Sequence, residues 1–336
     1  MSLPDEMTCF LVTKDAQGHS THELARRPLS SLSPGNVLVR VRYSSLNFKD
    51  ALIVTGHPGI ANKFPNVPGI DAAGIVVEST DPRFPPGTPV MTTGHELGVE
   101  RWGGWAEYIQ CPGEWLYPLR HGLTLEESMI YGTAGFTAAQ CVEALVSHGL
   151  TPDSGPVVVT GATGGVGSLA VMILAKLGFH VVAVTGKLRQ VEWLKTLGAT
   201  EVAGRELLAP PGNKPLLSAK YAGGIDTVGG APLANLCKMV IHRGCVACCG
   251  LTAGDQLPLS VYPFILRGIT LAGIDSVWCP DHLRDGIWDK LAGPWKPSLL
   301  QTVKRIVPLA EIQPEVDKIL RGEIIGRTVV EVESME

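Results

Sequence analysis

The stretch most able to do chemistry is Val157-Val158-Val159-Thr160-Gly161-Ala162-Thr163-Gly164-Gly165-Val166-Gly167-Ser168. A β-branched run is followed by clustered glycines and then by small and apolar residues on a helical period over 168–178. Glycines let a backbone approach a pyrophosphate, whose charge then rests on unpaired N–H groups and on the positive end of the new helix. Against G-x-G-x-x-G, Ala162 stands at the first glycine position, with Gly164 and Gly167 at the other two. The bland alternative is an ordinary strand-to-helix turn, but here the flanks that a dinucleotide site demands are present on both sides.

The next apolar strand, 180–185, ends in Thr185-Gly186-Lys187, with Arg189 close behind. A site selecting NAD places Asp or Glu here to hold the ribose 2′-hydroxyl, and that carboxylate would repel a 2′-phosphate. A hydroxyl, a glycine and two cations predict NADP(H) instead, with Thr185 and Lys187 on the phosphate. The alternative is that Lys187 and Arg189 are solvated residues opening a helix over 190–197.

At 336 residues the chain suits two domains. Hydrophobic residues at 45% against 18% charged allow a sizeable interior. A net charge of −4 without a basic cluster argues against nucleic acid or an anionic membrane as partner. No apolar run approaches a membrane span, and the acidic start, Asp5-Glu6, lacks the regions of a signal peptide, so a cytoplasmic soluble protein is expected. Eight cysteines raise the question of metal or disulfides. The C-x-x-C of Cys245 and Cys248 has no second pair and sits in an apolar segment bounded by glycines, which reads as a buried strand with structural thiols.

The chain to about residue 118 reads as β-rich, with strands over 37–43, 74–77 and 106–109 and a Pro/Gly turn cluster at 81–87. A helix over 126–148, broken near 132–135, leads into the glycine turn. Strands over 201–203, 224–228 and 244–250 and a helix over 233–241 follow, and the chain is expected to leave the sheet from about residue 264. A helix over 314–321 and a strand over 328–332 close it. The fold class is α/β, a dinucleotide-binding domain at 129–264 inserted into a β-rich domain made of 1–128 and 265–336, with a ligand cleft expected between them.

Ordered motifs extend this reading. They are Ser44-Ser45-Leu46-Asn47-Phe48-Lys49-Asp50, Val67-Pro68-Gly69-Ile70-Asp71-Ala72-Ala73-Gly74, Trp102-Gly103-Gly104, Gly132-Thr133-Ala134-Gly135-Phe136, Gly224-Ile225-Asp226-Thr227-Val228-Gly229, Pro263-Phe264-Ile265-Leu266-Arg267-Gly268, Gly273-Ile274-Asp275-Ser276-Val277 and Gly326-Arg327-Thr328. Over almost its whole length the chain resembles the medium-chain dehydrogenase/reductase superfamily, and within it the zinc-independent acryloyl-CoA reductase group of quinone-oxidoreductase type. The resemblance implies a GroES-like β-rich catalytic domain built from both chain ends, a Rossmann domain between, NADPH in the cleft and a homodimer or small oligomer.

Relatives in the superfamily are zinc alcohol dehydrogenases. Gly94-His95-Glu96 spells part of their site but lies downstream of the aligned position, Gly69-Ile70-Asp71, and their ligand cysteine falls at Ser45 to Asn47. Without those partners His95 and Glu96 cannot complete a tetrahedral site. The chemistry then implied is hydride addition to the β-carbon of an enoyl thioester, creating an enolate that needs hydrogen-bond donors and a proton.

By that resemblance Asn47 is the catalytic candidate beside the reacting carbonyl and Asp71 a supporting one, with Asp50 weaker because a carboxylate repels an enolate. The structural alternatives are that Asn47 caps a turn and that Asp71 holds local backbone. Several relatives use a tyrosine proton donor in the loop matching 55–64, which here has none. Position by position, the resemblance adds Phe48 beside the nicotinamide, Thr163, Gly164, Gly165 and Val166 at the pyrophosphate, and Arg205 near the adenosine phosphate. Leu251 and Ile265 would line the nicotinamide side and Arg327 would close over the cleft. The expected substrate is an acyl-CoA thioester, acryloyl-CoA reduced to propionyl-CoA. Quinone reduction and a non-catalytic NADPH-binding protein are the alternatives.

Overall fold

The computed structural model describes residues 3–210, 212 and 214–332. Its contacts divide the chain into two compact units, one made of residues up to 133 with those from 304 onward, the other of residues 134–303.

The first unit is organised on the strand Val37–Ser45. Its alternation works as period-two patterning requires: Val37, Val39 and Val41 pack with Val76, Val90 and Ile109, while Leu38 joins a different cluster around Phe10, Leu11 and Trp105. The sheet has seven strands, in the order Lys304–Pro308, Arg327–Glu331, Val37–Ser45, Asp71–Ser79, Pro89–Thr93 and Tyr117–Pro118, with Tyr108–Cys111 also paired to Val37–Ser45. Both ends of the chain therefore build it. A separate antiparallel hairpin pairs Glu6–Lys14 with Ser20–Pro28. The short helix Phe48–Val54 packs near Ile312–Leu320.

The second unit holds a six-stranded parallel sheet in the order Glu201–Ala203, Val181–Val184, Val157–Val159, Tyr221–Asp226, Val240–Cys248 and Thr270–Gly273. Counted from Val157–Val159 this is the 3-2-1-4-5-6 order of a Rossmann sheet, with its switch point beside Val157–Val159. Val157, Val158 and Val159 are wholly buried, as a central parallel strand covered on both faces should be. The fold class is thus α/β, a Rossmann sheet carried by the middle of the chain and a GroES-like β-rich unit by its ends.

The boundaries differ from the sequence expectation. The first crossing falls after 133 rather than 128, and the return comes at 304 rather than 265. The chain does not leave the sheet at 264: Thr270–Gly273 adds a sixth, edge strand to Val240–Cys248, and the helix Asp281–Ala292 follows. Three half-buried residues and an exposed glycine, Thr-Leu-Ala-Gly, are too short to show an alternation. The helical run Leu125–Ser147 is broken at Gly132, whose φ of 49° and ψ of −155° are not helical. All eight cysteines are free thiols. Among the described residues no helix is long and apolar enough to cross a membrane.

Candidate active site

Asn47 lies two residues past the end of Val37–Ser45 and immediately before the helix Phe48–Val54, while Asp71 opens the strand paired antiparallel to Val37–Ser45. That register sets Ser44 opposite Ala72 and so brings Ser45, Asn47 and Asp71 together. Asp71 is wholly buried. Its Oδ2 accepts from Ser45 Oγ at 2.5 Å, Asn47 Nδ2 at 2.8 Å and the Thr133 backbone N–H at 2.9 Å, and its Oδ1 accepts from Thr133 Oγ1 at 2.6 Å.

Asn47 Nδ2 also donates to Ser45 Oγ at 3.1 Å, and its Oδ1 accepts from Arg327 Nη1 at 3.3 Å. A guanidinium only donates and an ionised carboxylate only accepts, so these neighbours decide which end of the amide is nitrogen.

Asp50 is the hub beneath this pair. Its Oδ2 accepts the Asn47 N–H at 2.8 Å and its Oδ1 the N–H groups of Gly69 and Ile70 at 3.0 and 2.9 Å. One buried carboxylate thus ties down the backbone before the helix and the backbone leading into Asp71. Burial, and then the Asp71 charge, push Asp50 up to about 7, against the pull of the three N–H groups. Gly132 completes the packing: a Cβ there would stand 2.4 Å from Asp71 Oδ2 and 3.0 Å from both Ser45 Oγ and Arg327 Nη2. Its left-handed backbone and this close approach both require glycine.

One expectation changes. Arg327 is no lid: it is 3% exposed, donates through Nε to Ile130 O at 2.9 Å and through Nη1 to Leu46 O at 3.1 Å, and burial holds its pKa below the usual guanidinium value despite Asp71 and Asp50. Asn47 shares one N–H between Asp71 Oδ2 and Ser45 Oγ, which lie only 2.5 Å apart, too close together to be served by two N–H groups that diverge from one nitrogen, so its second N–H is directed away from both. Phe48, the next residue, keeps its ring exposed.

In the second unit the glycine turn runs from Val157–Val159 into the helix Gly165–Lys176, preceded by Gly164. Gly167 packs the helix onto the turn, with a Cβ position only 2.3 Å from Gly161 O. Asp226, buried at the neighbouring strand end, accepts from Thr160 Oγ1 at 2.8 Å and from the N–H groups of Gly229 and Val228 at 2.6 and 3.2 Å, fixing both strand ends at the switch point. The N–H groups of 165–167 have no helical acceptor four residues back, so the helix start suits an anionic pyrophosphate.

At the end of Val181–Val184, Arg205 lays its guanidinium against Gly186, with Nε 2.4 Å from where a Cβ would be, and Lys187 follows directly. Thr185 departs from expectation. Its side chain is buried, with Oγ1 sharing a hydrogen bond with Thr163 Oγ1 at 3.1 Å and accepting the Lys187 N–H at 3.0 Å. It shapes the turn that leads into Lys187. Leu251 and Ile265 are exposed.

Among the described residues, no group of three or more His, Cys, Asp or Glu is arranged to hold a metal ion. His95 stacks on Trp115 at 5.3 Å, and Glu96 pairs with Arg101 at 3.6 Å. Ser45 and Thr133, which complete the Asp71 cluster, lie in recognisable motifs, and the break at Gly132 falls where the glycine pattern puts it, but their role depends on strand register, which no local pattern reveals.

Residues 33–121 match the Alcohol dehydrogenase GroES-like domain and residues 165–285 the Zinc-binding dehydrogenase domain. YhfP of Bacillus subtilis, a quinone oxidoreductase by name, is 47% identical over 302 residues, covering 90% of this chain and 92% of its own; its crystal structure with NAD bound superposes with a TM-score of 0.95 at 43% identity, covering 98% of this chain and 100% of that one. Acrylyl-CoA reductase AcuI of Ruegeria pomeroyi is 42% identical over 324 residues, covering 96% of this chain and 98% of its own. The yhdH oxidoreductase of Salmonella enterica, in complex with NADP, gives a TM-score of 0.94 at 42% identity, covering 97% of this chain and 100% of that one.

Proposed function

The chain belongs to the zinc-independent medium-chain dehydrogenase/reductase family, and on that premise we propose that it reduces the conjugated double bond of acryloyl-CoA to propionyl-CoA with NADPH. The observation that carries the substrate is the 42% identity to an acrylyl-CoA reductase across 96% of the chain. NADPH, when bound, supplies the hydride that adds to the β-carbon. The residues fit it: in the turn at Thr163, Gly164, Gly165 and Val166 the Gly164 N–H is tied to Gly161 O at 2.8 Å, while Gly165 and Val166 open the helix with N–H groups suited to the pyrophosphate, and Lys187 and Arg205 on either side of Gly186 would hold the 2′-phosphate. Phe48 keeps its ring exposed in the first unit, and Leu251 and Ile265 keep their apolar side chains exposed in the second, as the nicotinamide role proposed for each requires.

Asp71 and Arg327 hold Asn47 as a positioned amide. One of its two N–H groups is shared between Asp71 Oδ2 and Ser45 Oγ, and the other, which those acceptors do not engage, is the donor for the substrate carbonyl. The enolate is thereby stabilised by a neutral donor, and water supplies the α-proton. The protein works in the cytoplasm as a homodimer in this reading.

A second reading, NADPH-dependent quinone reduction, is favoured by the name of the 47% identical Bacillus relative. Steady-state NADPH oxidation with acryloyl-CoA, run beside crotonyl-CoA, a simple quinone and an NADH control, separates them. Turnover confined to acryloyl-CoA with NADPH supports the reductase, quinone turnover alone supports the second reading, and tight NADPH binding without turnover would leave a binding protein.

A further inference from the structure

A groove of about 610 Å³ in the first unit lies outside the Asn47 and Asp71 cluster and has the lining of a nucleotide site. Its walls include Phe64 and Trp102, its hydroxyls Thr13 and Ser31, and its cations Lys14 and Arg27. Lys14 Nζ stands 4.4 Å over the Phe64 ring and forms no ion pair among the described residues. Arg27 has only a long contact to Glu23, 3.7 Å, in which both side chains are well exposed. Trp102 is held by its Nε1–H on Pro65 O at 3.2 Å. Aromatic faces between cations recognise a flat base carrying phosphates.

Both cations line the same groove as Phe64 and Trp102, Lys14 from the strand Glu6–Lys14 and Arg27 from its hairpin partner Ser20–Pro28. The groove is also tied to the site. The loop that follows Phe48–Val54 rests at Gly56 against Ser20 and Lys14 Cε, and ends at Phe64 on the groove wall. From Pro65 to Asp71 the chain takes six peptide steps, no more than about 20 Å when fully extended.

We infer that this groove seats the adenosine 3′,5′-bisphosphate end of the coenzyme A thioester, with its phosphates on Lys14 and Arg27 and its base against Phe64 and Trp102. The pantetheine arm then runs toward Asn47. The inference rests on the acyl-CoA reading above, and its test separates the two.

Adenosine 3′,5′-bisphosphate is titrated calorimetrically into the full-length protein saturated with NADP⁺, so that the cofactor site is closed to the probe. The same titration is made on the Lys14→Ala/Arg27→Ala variant, whose changes fall on well-exposed side chains and whose fold is checked by its thermal transition. Two exposed charge contacts contribute together up to about a tenfold change in affinity. Binding that weakens about tenfold in the variant supports the groove, and absent or unchanged binding overturns it. In turnover, the variant raises KM for acryloyl-CoA by a similar factor while KM for the acryloyl N-acetylcysteamine thioester, which lacks the nucleotide, stays put; an equal rise for both thioesters overturns the assignment. Failure of the wild-type protein to reduce either thioester sinks the acyl-CoA reading, and with it the inference, even if the bisphosphate binds.

Discussion

Asn47 donates its amide to Asp71 across 2.8 Å while Arg327 grips the other end of the same amide at 3.3 Å. The amide is therefore held between a carboxylate and a guanidinium and cannot flip without setting like against like at both ends. A neutral donor aimed in this way can meet a developing enolate without the repulsion that a carboxylate would bring.

Asp71→Asn tests the clamp. The new NH₂ group would face Asn47 Nδ2, Ser45 Oγ or Thr133 N–H, each now a donor to Asp71. We expect a stability loss of about 2–4 kcal/mol in urea unfolding and a fall in kcat of about a hundredfold, because the amide loses its orientation.

Gly132→Ala combines a disfavoured φ with a clash against a wholly buried carboxylate. A destabilisation of about 2–4 kcal/mol follows from strain and lost hydrogen bonds, and thermal melting reads it directly. Stability equal to wild type would show that the break at Gly132 is not held by Asp71.

Asp50 imposes a pH dependence with a definite sign. Its carboxyl is raised from 3.8 to about 7 by burial and then by Asp71, so the folded state holds a proton that the unfolded chain has released. The associated stability is fully present below about pH 4, declines as pH rises, and is lost on passing about 7. Urea unfolding across that window should show the decline in wild type, and Asp50→Asn, which cannot titrate, should flatten it.

Arg205→Ala addresses cofactor choice. Removing the guanidinium from its place over Gly186 should raise KM for NADPH about tenfold and leave KM for NADH unchanged. An equal effect on both cofactors would place Arg205 away from the 2′-phosphate.

Much of the fold was readable because its central strands are long or β-branched and its turns carry glycine. Val157–Val159, Glu201–Ala203 and the helix Ile312–Leu320 fall where periodicity puts them. Ser20–Pro28 was not readable: its residues, Ser-Thr-His-Glu-Leu-Ala-Arg-Arg-Pro, are all at least partly exposed, and pairing rather than burial makes it a strand. The helix Phe48–Val54 has only seven residues, too few for a period.

The same limit applies to the site. Asn47 and Asp71 stand in recognisable motifs, but the use of Asp50 to bind Gly69 and Ile70 N–H groups, 19 and 20 residues away, exists only once the chain is folded. Thr185 shows the converse: its type suits a phosphate, yet its neighbours Thr163 and Lys187 consume its hydroxyl.

The most direct measurement is the stoichiometry of acryloyl-CoA reduction, with NADPH consumption followed optically and propionyl-CoA quantified by mass spectrometry in the same reaction. The account predicts one propionyl-CoA per NADPH consumed, with the rate collapsing in Asn47→Ala. NADPH consumption with a quinone but no propionyl-CoA from acryloyl-CoA would contradict it.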